Sequence, residues 1–140
     1  MSQNTIIQDN EQNEALTVFS YNGVSFNFDI EDIEDLQRYE NAYEQMTVDQ
    51  KLLKKDGKKS EYVRAYCEMI RRLFDNIFGD GAGTKICGER YNSRTDTEAY
   101  NAFLAFVAKQ TDAGMVQKSA LAATYLNRAQ RRAAAKNAGK

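Results

Sequence analysis

Histidine, proline and tryptophan are missing from the 140 residues of this chain. Without histidine, Ser-His and Cys-His nucleophilic pairs, histidine general-base chemistry and most zinc and non-haem iron sites are closed to it. Without proline there is no polyproline recognition and no prolyl switch. The two cysteines, Cys67 and Cys87, form no Cys-x-x-Cys pair, and with no secretory leader a disulfide framework is not expected. The opening MSQNTIIQDNEQNEAL is polar and acidic, the opposite of a signal or transit peptide. No apolar run approaches the roughly 20 residues of a membrane span. These absences predict a cytoplasmic, non-enzymatic protein with no cofactor, no metal and no membrane contact.

What is present is a polarity of charge. The net charge is -1, but it is a cancellation. Residues 1–50 hold eleven acids and one base, Arg38. Residues 51–112 hold twelve bases and nine acids, and residues 113–140 hold six bases and no acid. An acidic first part and a basic end suggest an interaction tail or head-to-tail self-attraction; two simply solvated ends would look the same.

Residues 1–14 read as a flexible leader in which only Ile6 and Ile7 are apolar beyond the first residue. Next comes LTVFSYNGVSFNF over residues 16–28. Asn22-Gly23 is the preferred pair for a type I′ hairpin turn, since both positions need φ > 0. That turn sets Tyr21 against Val24, Phe19 against Phe26 and Thr17 against Phe28 on one face. Such a hairpin is marginal alone. It is expected to cover a helical core; the other route is an edge that recruits a strand from a second copy.

Residues 29–48 predict a helix capped by Asp29 or Asp32. Its apolar stripe runs through Ile33, Leu36, Tyr39 or Glu40, Tyr43 and Met46. The lysine-rich DQKLLKKDGKKS of residues 49–60 reads as a loop, able to meet an anion but expected to be solvated. Residues 61–78 predict the strongest helix, with Ser60 as its N-cap and Gly79 as an αL stop. Tyr62 or Val63, Tyr66, Cys67, Ile70, Leu73 or Phe74, Ile77 and Phe78 face the core. Arg64, Glu68, Arg71, Arg72 and Asp75 are placed on the other side.

The loop GDGAGTKICGERYNSR over residues 79–94 carries four glycines. A phosphate-binding P-loop needs GxxxxGK[ST] between a strand and a helix, and a dinucleotide fingerprint needs GxGxxG after a strand. Neither is present, so this reads as a helix–helix connection in which Lys85-Ile86-Cys87 forms a short plug. Residues 95–111 predict a third helix opened by the capping box Thr95-Asp96-Thr97-Glu98. Residues 112–124 read as a linker. Asn127 can cap a short last helix that shows Arg128, Arg131 and Arg132 on one face but has little to bury.

The expected architecture is therefore mainly α (α+β). A leader occupies 1–14, a hairpin on a three-helix bundle occupies 15–111, and a basic helical or flexible extension occupies 112–140. The residues available to hold a partner are Arg128, Arg131 and Arg132 in the extension, and Phe19, Tyr21 and Phe26 in the hairpin.

Three stretches carry a resemblance: the Asn-Gly hairpin, RLFDNIFGDGAGTKICG with AYNAFLAFV behind it, and the closing YLNRAQRRAAAK. Together they resemble the small helical proteins in the tail-gene modules of phages and prophages of Gram-positive bacteria, over roughly residues 16–135. The resemblance implies a tail assembly chaperone. Such a protein coats the helical tape-measure protein in the host cytoplasm, self-associates while the tail tube grows, and is absent from the mature virion. Other readings are a nucleic-acid binder that uses the C-terminal arginines, and a virion structural or joining protein.

Overall fold

The computed structural model describes residues 16–114. Strands β1 (Val18–Tyr21) and β2 (Val24–Asn27) form an antiparallel hairpin. Asn22 and Gly23 both adopt positive φ, 53° and 81°, as the I′ turn requires. Phe19 pairs with Phe26 and Tyr21 with Val24. The Phe28 amide, donating to Thr17 O at 2.8 Å, extends the register by one step. On the outer face the Ser20 and Ser25 hydroxyls meet at 2.8 Å.

Helix α1 (Ile33–Lys51) starts four residues later and ends three residues later than the sequence pattern suggests. Asp32 is its cap and accepts from the Asp35 amide at 3.1 Å. Asp29 instead accepts from the Glu31 amide at 2.9 Å. The crowded acids thus build the turns that lead into the helix.

Helix α2 (Lys59–Phe78) is capped at Lys58 without a side-chain bond, so Ser60 lies inside the first turn and is not the cap. Gly79 ends it with φ 113° and ψ 161°. This is a positive-φ stop of a more extended kind than the expected αL residue. The glycine loop is more ordered than a plain connection: α3 (Ala82–Cys87) is a short helix within it. Ile86 and Cys87 are buried as the plug, while Lys85 points outward.

The last helix, α4, covers residues 93–114. The expected capping box does not form. Asn92 is the cap: its Oδ1 accepts from the amides of Arg94 at 3.0 Å and Thr95 at 3.1 Å. Residues 112–114, expected as linker, are helical. The leader and the rest of the extension lie outside the described residues.

Aromatic rings join hairpin to helices. Phe103 of α4 sits edge-on to Phe19 at 5.4 Å, Phe74 at 5.7 Å and Phe28 at 5.8 Å, the geometry favoured by ring quadrupoles. The hairpin therefore closes one end of the helical layer, as expected. Gln110, buried on α4, latches it there. Its Nε2 donates to Leu16 O at 2.7 Å and Phe28 O at 2.6 Å, and its Oε1 accepts from the Ile30 amide at 2.7 Å.

Candidate interaction cleft

The N-terminal turns of α2 and α4 face each other across an open space. Lys59, Tyr62, Val63 and Tyr66 follow one another at i, i+3, i+4 and i+7, one stripe of α2. Opposite them stand Ser93, Arg94, Thr97 and Glu98 of α4. Between the two lies an open cleft of about 530 Å³. It remains open because the first two turns of α4 offer short or polar side chains where the later turns offer Phe103 and Phe106.

The floor is a hydrogen-bonded pair. The Thr97 hydroxyl donates to Ser93 O at 2.6 Å. Its one proton is thereby used, so the Tyr66 hydroxyl, 2.6 Å away, donates to Thr97 Oγ1. Tyr62 and Tyr66 are also shared walls. Tyr62 borders a hollow of about 240 Å³ with Lys55, Gly57 and Lys59. Tyr66 borders another of about 250 Å³ with residues of α1, among them Tyr43 and Met46. Tyr43 donates to the Tyr100 hydroxyl at 3.0 Å. Burial, then the hydrogen bond with Tyr100, raises the Tyr43 phenol above its ordinary range. The row is thus an aromatic trough with hydroxyl edges.

A buried ion pair ties α2 to the first turns of α4. Arg71, 5% exposed, and Asp96, 0% exposed, meet through Nε to Oδ2 at 3.0 Å and Nη2 to Oδ1 at 3.3 Å. The sequence pattern placed Arg71 on the outer side of α2; it lies inside because its planar fork has partners there. Nη1 donates to Gly88 O at 2.6 Å, Nη2 to Arg90 O at 2.9 Å, and Tyr91 covers the guanidinium at 4.3 Å. Burial alone would lower the Arg71 pKa, but the Asp96 carboxylate more than offsets it and the net direction is up. Among the described residues, every buried side-chain nitrogen and oxygen has a hydrogen-bond partner.

The two cysteines belong to this structural knot. Burial first, then Asp96, pushes the Cys67 thiol up to about 11 and the Cys87 thiol up to about 12. Both remain neutral at physiological pH and are poor nucleophiles or metal ligands there. Among the described residues no group of three or more Cys, Asp and Glu side chains is placed to hold a metal ion. No described helix is long and apolar enough to cross a membrane. What the cleft offers chemically is a largely apolar surface with hydroxyl edges at Tyr62, Tyr66, Ser93 and Thr97.

Of the contact residues expected from sequence, Phe19 is 3% exposed and packs in the core. Tyr21 and Phe26 are half-buried beside it. Arg128, Arg131 and Arg132 lie outside the described residues. The cleft was hidden in the sequence because Tyr62, Val63 and Tyr66 continue the core stripe of α2. A usable signal was the mismatch of partners: the α4 stripe turns apolar only from Ala99 onward.

The chain belongs to a family of unknown function (DUF6673), whose model matches residues 22–135. No curated protein and no solved structure matches it.

Proposed function

We propose that this chain is a non-enzymatic assembly protein, a tail-assembly-chaperone-like binder that holds a long helical partner of the tape-measure kind. The single observation that carries the reading is the cleft between α2 and α4. Its stripe of Lys59, Tyr62, Val63 and Tyr66 faces solvent across about 530 Å³, and an amphipathic helix seats its i, i+3, i+4 and i+7 anchors in such a groove. The charge polarity of the chain supports a second part of the reading, self-association, since an acid-free end can meet the acidic part of a neighbour in a heterologous, chain-forming contact. The family match reaches through Arg128, Arg131 and Arg132, which supports treating the basic end as part of the same working unit. The setting implied is the cytoplasm of a bacterial host.

Co-expression with a tape-measure protein of a phage tail-gene module tests the reading. The wild-type chain is expected to retain that protein through purification, and Val63→Asp, with an unchanged far-ultraviolet spectrum, to lose at least tenfold of it. Equal retention by both, or none by the wild type, overturns the reading.

A further inference from the structure

The cleft lies beside a segment in which bases outnumber acids. Residues 51–64 carry six bases, Lys51, Lys54, Lys55, Lys58, Lys59 and Arg64, against the two acids Asp56 and Glu61, and all eight side chains are exposed. None of the six bases is in an ion pair among those found in the described residues, which join Arg38 to Asp35, Arg71 to Asp96 and Arg72 to Asp49. Lys59 lines the cleft itself and Lys55 lines the hollow next to it. Across the cleft Arg94 adds a base and Glu98 an acid. An apolar trough beside a basic segment selects a ligand with an apolar stripe flanked by acids, because rim charges set encounter rate and exclude like-charged partners.

We infer that the α2–α4 cleft is specific for an acidic amphipathic helix of a protein partner, with the loop between α1 and α2 acting as its electrostatic selector. This rests on the helix-binding reading above and deepens it. The tyrosines anchor the apolar stripe: Tyr62 and Tyr66 bring rigid, amphipathic area with few rotatable bonds. Lys55, Lys58, Lys59 and Arg94 meet the flanking carboxylates. Their exposure keeps each contact weak singly and sensitive to salt. A nucleic acid would also be drawn to lysines beside aromatic rings, but the two rings are walls of a trough on a helix and Tyr66 is tied to Thr97, which leaves no free platform for a run of bases.

Two designed helical peptides with the same leucine spacing, one with glutamates elsewhere and one with lysines, separate the possibilities in fluorescence anisotropy with the full chain. The glutamate peptide is expected to bind at least tenfold more tightly at low salt, and the gap to shrink as salt rises. Lys55→Glu/Lys59→Glu, both exposed positions, is expected to reverse the order. Equal binding of both peptides overturns the charge selection while leaving the helix-binding reading in place. Binding of neither overturns both. A single-stranded oligonucleotide that binds more tightly than the glutamate peptide and is released by the double variant overturns the inference in favour of nucleic acid.

Discussion

Arg71 grips Asp96 with two prongs, Nε to Oδ2 at 3.0 Å and Nη2 to Oδ1 at 3.3 Å, 25 residues apart in the chain and both shut away from solvent. The pair ties α2 to the start of α4, and through Gly88 O and Arg90 O to the loop between them. Removing one partner leaves a buried, uncompensated charge, which costs far more than the pair itself contributes. Asp96→Ala is therefore expected to destabilise the fold by about 3–5 kcal/mol, read as a lower urea midpoint. Arg71→Met combined with Asp96→Leu is expected to recover part of that loss. A change below about 1 kcal/mol for Asp96→Ala, within the ordinary range for a single substitution, would show that the pair is not buried as described.

Gly83 of α3 packs directly on the α2 backbone. A Cβ there would lie 2.5 Å from Arg71 O and 2.7 Å from Arg71 Cα. Neither backbone atom can turn aside, and the Gly83 amide is held by Asp75 Oδ1 at 2.7 Å. Gly83→Ala is expected to cost about 1–3 kcal/mol through overpacking. Calorimetry would detect it as a clear drop in Tm.

Gln110 is the hinge pin of the hairpin. Replacing it with Leu strands the Phe28 carbonyl and the Ile30 amide, at about 1–3 kcal/mol for a buried group left unpaired, while the carbonyl of Leu16, 37% exposed, can turn to water. Amide exchange at Ile30 and Phe28 is expected to accelerate more than exchange at Ile70 in α2. Uniform acceleration would mean that the hairpin opens only with the whole fold.

The thiols give stability a basic-side limit. Their ordinary pKa is 9.0, and the fold raises Cys67 to about 11 and Cys87 to about 12. A raised acid binds its proton more tightly when folded, so the stabilisation is complete below the unfolded pKa and is lost as pH climbs through the folded value. Unfolding free energy is expected to fall between about pH 9 and 12, and Cys67→Ala/Cys87→Ala to flatten the fall. An unchanged slope in the double variant would rule out the thiols as its source.

How much was legible follows the range of each interaction. The hairpin was fully legible because Asn22-Gly23 sets its own register within two residues. The cap of α1 was legible to within two candidates, Asp29 and Asp32, because capping acts over three residues; the structure selects Asp32. Arg71 was not. Its partner Asp96 lies across the glycine loop, and Asp96 itself stood inside a plausible capping box, so local chemistry pointed both side chains to solvent. Gly83 read only as part of a helix–helix connection, since only the approach of α2 reveals why a side chain is forbidden there. The cleft was not legible: its α2 stripe read as core, and its opening depends on which α4 turns come to lie opposite.

The central claim is that this cleft seats a helix. Chemical-shift mapping of the full, isotope-labelled chain against the glutamate-flanked helical peptide tests it most directly. The account predicts shifts concentrated at Lys59, Tyr62, Val63, Tyr66, Arg94 and Thr97, with the hairpin residues Tyr21 and Phe26 unmoved. Shifts centred on the hairpin or on the exposed side of α1, with the cleft silent, would contradict it.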